Sequence, residues 1–461
     1  MAPTGGKPPR RGGQVPMRAP DAALALRRRA ALVAPLALAG CGLFKDWFGS
    51  NKVPLPGKRE DVIAGGQGLQ PSNPRRAVAL PPAVANPDWP EPGGNPTHAM
   101  GQLQTAPVLN QAWRVAIGEG GGFRRKITAQ PVVAGGRVYA MDSDAVVSAF
   151  DLRNGARRWR VVTRAKKDRS SNIGGGLAIE GGTVFVTTGR GDVLALDAGT
   201  GVTRWRQQLG VPARSSPTIA EGRLFFVTIE QQILALAAGD GARIWSHQAS
   251  TAQTMVLGEP APAYANGLVV AGFGSGDLLA LRADSGGVAW TDSIAAVGGR
   301  GSMADISAIS AIPVIADNRV FAIGEGGLMV GLDLPTGRRL WEHEVAGSQT
   351  PWIAGEWMFI VTLEGRTAAI NAADGAVAWV GSLPRYKNPK EQKDLIAWFG
   401  PALASERLVF AGTNKRLVAV SPYDGRILGQ RELPDNASVP PVVAGATLLI
   451  VTADGALTAY R

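Results

Sequence analysis

The sequence predicts an all-β chain folded as an eight-bladed β-propeller, and three observations carry that prediction. First, one phrase recurs. Residues Val146–Trp159 read as a period-2 strand, an Asn154-Gly155 turn and a second strand holding a Trp. Asn-Gly between alternating apolar runs marks a tight hairpin, because the turn needs positive φ. Aligned on the turn glycine, copies fall at Gly155, Gly201, Gly241, Gly286, Gly337, Gly375 and Gly425. Four residues later stand Trp159, Trp205, Trp245, Trp290, Trp341 and Trp379, and in the seventh copy Gly429. Second, another hairpin precedes each copy, as in Pro131–Tyr139 and Pro313–Phe321. Four-stranded units with Trp spacings of 38 to 51 residues are a propeller signature. Third, the two ends are complementary. After Gly429 comes one further hairpin set, Pro441–Tyr460, without a Trp strand, while Gln111–Ile117 supplies an orphan strand whose Trp113 lies 46 residues before Trp159. The N-terminal strand is expected to close the last blade, pairing two edges that would otherwise be templates for aggregation.

Taken from its start, the chain opens with a Pro-, Gly- and Arg-rich stretch. Arg27-Arg28-Arg29 then precedes an apolar run, residues 30–40, too short to cross a membrane. A positive flank, a short apolar core and small residues describe an export signal. Leu38-Ala39-Gly40-Cys41 matches the bacterial lipoprotein box, and Cys41 is the only cysteine. Residues 1–40 are therefore expected to be a lipoprotein signal peptide and Cys41 the lipidated residue. Its acyl chains would exceed the two hydrophobic signals that stable anchoring needs. Gly42, where an Asp would mark retention in lipoprotein sorting patterns, favours the periplasmic face of the outer membrane.

Residues 41–106 are rich in Pro, Gly and Asn and show no sustained period, so they are expected to form a flexible tether spanning roughly 40–50 Å. Within it, Asp88–His98 is expected to pack against the ring. Residues 107–461 are assigned to the propeller. Just before its seventh blade, Glu391–Trp398 is expected to form one helical turn.

Composition restricts the chemistry. One cysteine excludes a disulfide framework and Cys-based metal or haem sites. The formal charge is +11, but residues 1–40 hold seven Lys/Arg against one Asp, which leaves +5 for the rest. That excess is scattered; a nucleic-acid interface would need a dense basic stripe with aromatic partners. His98, His247 and His343, the only histidines, lack metal-ligand spacing. No Ser-His-Asp arrangement stands out. The glycine runs at 118–123 and 174–176 lack a following helix pattern and read as loops between blades. Basic stretches at 124–126, 164–169 and 386–390 read as solvated loops.

The repeat Ala195-Leu196-Asp197-Ala198-Gly199-Thr200-Gly201-x-x-x-Trp205 resembles the tryptophan-docking repeat of pyrroloquinoline-quinone-type eight-bladed propellers. Ala237, Arg282, Asn371 and Ser421 stand where Asp151, Asp197 and Asp333 stand in other copies, so the Asp reads as a turn residue. Two kinds of protein share this repeat. A quinone-dependent dehydrogenase needs a Ca²⁺ site of convergent oxygens, a catalytic carboxylate and long pocket-forming loops. This chain has no adjacent cysteines and no such loops. With a lipobox, a tether and compact blades, it is instead similar to the BamB family, the propeller lipoproteins of the β-barrel assembly machinery.

The resemblance implies a non-catalytic scaffold without cofactor or metal. It implies contact with the periplasmic repeat domains of a BamA-like core subunit, with other assembly lipoproteins and with nascent outer-membrane proteins, the membrane being reached through the lipid. A lipid-anchored propeller adaptor with another envelope partner is the alternative. Partner contacts of the family correspond to loops Thr254–Glu259 and Ser302–Ser310 here. Family members carry a basic residue where Leu257 stands and acidic residues near Ala308 and Ser310. This chain has small or apolar residues there, so an apolar patch is expected instead: Met255, Val256, Leu257, Met303 and Ile306, with Asp305 and Ser310.

Overall fold

Antiparallel hairpins, each joined by a tight turn, build eight four-stranded sheets in a computed structural model that describes residues 69–72, 76–122, 125–165, 170–252, 259–295 and 307–461. No helix occurs among them. Blade 1 consists of Val132–Ala134, Arg137–Met141, Val146–Asp151 and Arg157–Val162, paired in that order. Blades 2 to 7 open at Gly175, Thr218, Ala263, Val314, Trp352 and Trp398. Blade 8 takes three strands from the C-terminal end, Val442–Ala444, Thr447–Thr452 and Ala456–Tyr460. Its fourth is Gln111–Ala116, which pairs Trp113 with Ala459 and Ala116 with Ala456. Reciprocal bonds from Arg461 N to Asn110 O (2.8 Å) and from Asn110 N to Arg461 O (2.6 Å) extend this closure. The ring has eight blades, sealed as the orphan Trp113 strand requires.

The alternation read from the sequence holds only at the rim. Blades stack face to face, so their middle strands are covered on both sides. All six residues of Val146–Asp151 and of Thr183–Thr188 are buried, whereas Arg157–Val162 alternates exposed and half-buried residues. The core lies in the spaces between blades. Val132, Tyr139, Val147, Leu177, Val184 and Leu194, for example, pack between blades 1 and 2.

The repeated Trp fastens each blade to the next. Trp159 Nε1 donates to Ala198 O (3.0 Å), Trp245 to Ala283 O (2.9 Å) and Trp290 to Leu334 O (2.6 Å). Trp113, Trp205, Trp341 and Trp379 make the equivalent bond to Leu152, Ala238, Ala372 and Pro422. A buried indole thus satisfies its single donor while its faces fill the joint. The turn glycine receives the ring. Gly286 has φ 71°, and a Cβ there would lie 2.7 Å from the Trp245 ring. Two independent reasons, left-handed backbone and indole contact, therefore select glycine at that position. The turn Asp serves the backbone, as expected. Asp151 Oδ1 accepts from Arg153 N (2.9 Å), and two of its four replacements act alike, Asn371 Oδ1 on Ala373 N (3.0 Å) and Ser421 Oγ on Tyr423 N (3.3 Å).

Two expectations need correction. Residues 386–395 form a small hairpin, Tyr386–Asn388 with Lys393–Leu395, in place of the helical turn expected at 391–398. Gln392 and Asp394 have φ of 51° and 60°, incompatible with a right-handed turn. The flexible tether, expected over residues 41–106, does not extend to residue 106. Residues 76–106 are laid onto the propeller, and Leu69 is buried among Val314, Phe321 and Ile353. Hydrogen bonds to the blades supply the order that the composition lacks. Residues 1–68 lie outside the described residues, and with them Cys41.

Candidate functional site

Residues 86–103 form a strap that visits the first strand of every blade in ring order. Asn86 O accepts from Gly445 N (2.7 Å) and its Nδ2 donates to Val443 O (3.0 Å) in blade 8. Trp89 exchanges two backbone bonds with Val133 of blade 1, at 2.7 and 2.8 Å. Pro90 O accepts from Ile179 N in blade 2 (2.7 Å), and Glu91 Oε2 from Ile219 N in blade 3 (3.0 Å). Pro96 O and Thr97 O accept from Tyr264 N and Ile315 N in blades 4 and 5, at 2.7 and 2.8 Å. Gly101 N and Leu103 N donate to Ile353 O and Leu403 O in blades 6 and 7, at 3.0 and 3.2 Å. One circuit of the axis is complete. Sequence reasoning anticipated packing of residues 88–98 but not the circuit. Its signal is Trp89-Pro90-Glu91-Pro92 and Pro96, where proline fixes an extended path and leaves only a carbonyl to offer.

Trp89 stacks on Trp352 with ring centroids 6.2 Å apart. The cavity beside them, lined by Trp89, His98, Gln130, Thr350, Trp352 and Pro401, measures about 30 Å³. Ligand pockets occupy about 300–1,000 Å³, so pyrroloquinoline quinone does not fit these residues. Among the described residues, no group of three or more His, Cys, Asp or Glu could hold a metal ion.

Two titratable groups are locked in the strap. Burial pushes the Glu91 carboxyl up to about 8, with repulsion from Glu180 adding to it and the Ile219 N–H opposing it. Burial holds His98 down at about 4, despite its bond to Pro313 O (2.7 Å). At neutral pH both are uncharged, and the His98 Nδ1–H donates to the carbonyl. They act as buried fasteners.

Of the residues expected to bind a partner, Met255, Val256, Leu257, Met303, Asp305 and Ile306 lie outside the described residues. Their loops are framed by what surrounds them. Residues 249–262 and 294–313 connect blade 3 to 4 and blade 4 to 5, and the second of these connections, at 20 residues, is longer than a scaffold needs. Both loops are anchored. Glu259 N donates to Arg214 O (3.3 Å), and its carboxylate accepts from Gln231 Nε2 (2.9 Å). Burial raises that carboxyl to about 7, against the pull of Gln231 and Arg214. At the other loop, Ala308 and Ile309 are buried, Ile309 against Gly272. Ser310 is half-buried, and its Oγ donates to Glu325 Oε1 (2.7 Å). Ala308 therefore belongs to the joint.

The sequence pattern of the family described as outer membrane protein assembly factor BamB matches residues 110–172 and 143–380. The BamB of Salmonella typhimurium is 30% identical over 367 residues, covering 78% of this chain and 90% of its own length. The crystal structure of BamB from Moraxella catarrhalis superposes with a TM-score of 0.65 at 20% identity, covering 77% of this chain and 100% of that one. The quinohemoprotein alcohol dehydrogenase of Comamonas testosteroni also reaches 0.65, at 15% identity over 82% of this chain and 81% of its own. The ring alone therefore does not separate assembly factor from dehydrogenase; the sequence match does. This chain belongs to the BamB family of outer membrane protein assembly factors.

Proposed function

We propose that the protein is a non-catalytic scaffold in outer-membrane protein assembly, anchored through lipid on Cys41 to the periplasmic face of the outer membrane. In this reading, the loops that follow blades 3 and 4 dock on the periplasmic repeat domains of a BamA-like core subunit. Met255, Val256, Leu257, Met303, Asp305 and Ile306 supply the contact, with Ser310 at its edge. Family membership is the observation that carries this reading. The cavity of about 30 Å³ between the strap and the ring supports its non-catalytic part, because it is too small for a stacked cofactor. Length and position favour the two loops, since binding residues gather on loops held by a rigid scaffold.

The test is extraction of the intact lipoprotein from membranes with mild detergent, followed by identification of what co-purifies. The core barrel subunit is expected in the eluate, at a level that falls at least tenfold for Leu257→Asp with Ile306→Asp. Recovery of a different envelope protein without the core subunit overturns the partner assignment. Cys41→Ala should release the protein into the soluble periplasmic fraction; persistence in the membrane defeats the lipid anchor.

A further inference from the structure

Seven of the eight joints are closed by an indole and one is not. Across the third strand of each blade, the docking Trp faces a small residue: Ala149 opposite Trp159, Ala235 opposite Trp245, Ala459 opposite Trp113. Blade 7 keeps that register, with Ala419 opposite Gly429 on its outer strand Ile427–Glu432. A Cβ on Gly429 would meet nothing within 4 Å. The receiving side also differs. Blade 8 joins its third strand to its fourth through the Asn110–Arg461 backbone pair, where the other blades have a turn glycine.

An open groove of about 430 Å³ lies at this joint, lined by Gln111, Lys415, Arg431, Glu432, Leu433, Pro434 and Tyr460. Its volume falls within the range of about 300–1,000 Å³ found for ligand pockets. Arg431 stands two residues beyond Gly429, on the same face of the strand. The equivalent residues, Val115 and Val161, press on the next blade's turn glycine. Here a guanidinium takes that place and lies 5.6 Å from the Tyr460 ring centroid. The other charges at the groove are mostly committed. Lys415 pairs with Asp435 at 3.1 Å, and Arg114 with Asp454. Among the described residues, no carboxylate pairs with Arg431. Glu432 stands on the rim, exposed, on the opposite face of the strand, with Arg416 across the ladder.

We propose that this seam groove is a docking site for an extended peptide of another protein that presents an aromatic side chain beside a carboxylate. The aromatic ring enters the groove beside Arg431, with the nearly buried Tyr460 and Leu433 as its floor and the open space next to Gly429, where the other copies carry Trp, at its end. The carboxylate pairs with Arg431, which the groove walls partly shield from water. A charge-assisted bond of this kind is stronger than a neutral one. The proposal stands apart from the loops assigned above to the core subunit and does not depend on them.

The probe is the peptide Ac-Gly-Trp-Asp-Gly-Ser-amide made with 5-fluorotryptophan, titrated with the mature lipoprotein in detergent micelles and followed by ¹⁹F NMR. Saturable broadening is expected. Replacing the peptide Asp by Lys should weaken binding at least fivefold, and replacing its Trp by Ala should abolish it. On the protein, Gly429→Trp fills the seat and should lower affinity at least tenfold, while Arg431→Ala lowers it about fivefold. Glu432→Gln removes a repulsive rim charge and should raise it up to about threefold. Arg431→Ala and Glu432→Gln lie at the surface and keep the test decisive if Gly429→Trp does not fold. Absence of saturable binding overturns the proposal. So does equal binding by the folded Gly429→Trp protein or by Arg431→Ala. Concentration-dependent self-association that competes with the probe assigns the groove to a second copy of the chain and overturns the peptide assignment.

Discussion

The joint between blades 3 and 4 and the joint between blades 7 and 8 have the same strand register and opposite fillings. At the first, Trp245 is buried, bonded to Ala283 O and pressed on Gly286. At the second, Gly429 puts no side chain into the joint, and an open groove with Arg431 on its wall lies beside it. The difference shows what the repeat encodes. Glycine and tryptophan together mark a closed joint, and the seam has neither. Backbone pairing between the two chain ends closes blade 8 itself, and the strap bonds both blade 7 and blade 8, so the ring closes without an indole at this joint. Geometry that is redundant for folding is free to serve binding.

The largest effect should come from breaking a closed joint. Trp245→Ala removes a buried indole and should cost about 3–5 kcal/mol. Gly286→Ala forces a Cβ into left-handed backbone and against the ring, for about 1–3 kcal/mol. The two should not add, because the Cβ clash vanishes when the indole is absent. Urea unfolding of both single variants and the double variant measures this coupling. Strict additivity would mean that the glycine is selected by φ alone.

The strap predicts a pH dependence whose sign follows from its two buried groups. Glu91 has a folded pKa near 8, above its ordinary 4.5, so the folded state holds the extra proton. Its contribution to stability is largest below 4.5 and falls as pH rises to 8. His98 is depressed to about 4 from 6.5, so its contribution is complete above 6.5 and falls as pH drops to 4. Between 4.5 and 6.5 the two slopes oppose each other. Between 6.5 and 8 Glu91 acts without His98, and a single proton gives a slope of at most about 1.4 kcal/mol per pH unit. Glu259, raised to about 7, adds to the same decline outside the strap. Glu91→Gln should flatten the Glu91 part of the loss between pH 6.5 and 8, read by hydrogen exchange of Val133 and Ile219 amides. An unchanged profile would show that Glu91 does not titrate in this window.

Much of this was legible in the sequence because it is periodic. Gly155 to Gly425 and Trp113 to Trp379 report backbone sign and joint packing locally, and a ring of repeats multiplies a local signal. The strap was legible only as a tendency. Asn86, Glu91 and Leu103 meet blades 8, 3 and 7, far away in sequence, and no period connects them. The seam was visible as the missing Trp at Gly429, but its chemistry was not. Arg431 gains meaning only beside Tyr460, which the closure of the ring brings to it. The hairpin at 386–395 is hidden for a related reason, since its charged residues suit a helical turn as well as a strand, and tertiary context decides between them.

The smallest effect is also the sharpest contrast between the two joints, because it reverses sign. Gly286→Ala should destabilise the protein. Gly429→Ala, in the column where the other copies carry Trp, should stabilise it. Gly429 lies in an ordinary extended strand, pairs with Ala419, and has open space where a Cβ would go. Alanine there reduces the freedom of the unfolded chain without strain in the folded one, worth about 0.4–1 kcal/mol. A methyl group is also too small to occupy the groove, so probe binding should persist in Gly429→Ala while it is lost in Gly429→Trp. Urea midpoints for the two alanine variants, measured side by side, decide the matter. If both glycines lose stability on substitution, Gly429 is held by a constraint of its own, and the seam is not the open joint described above.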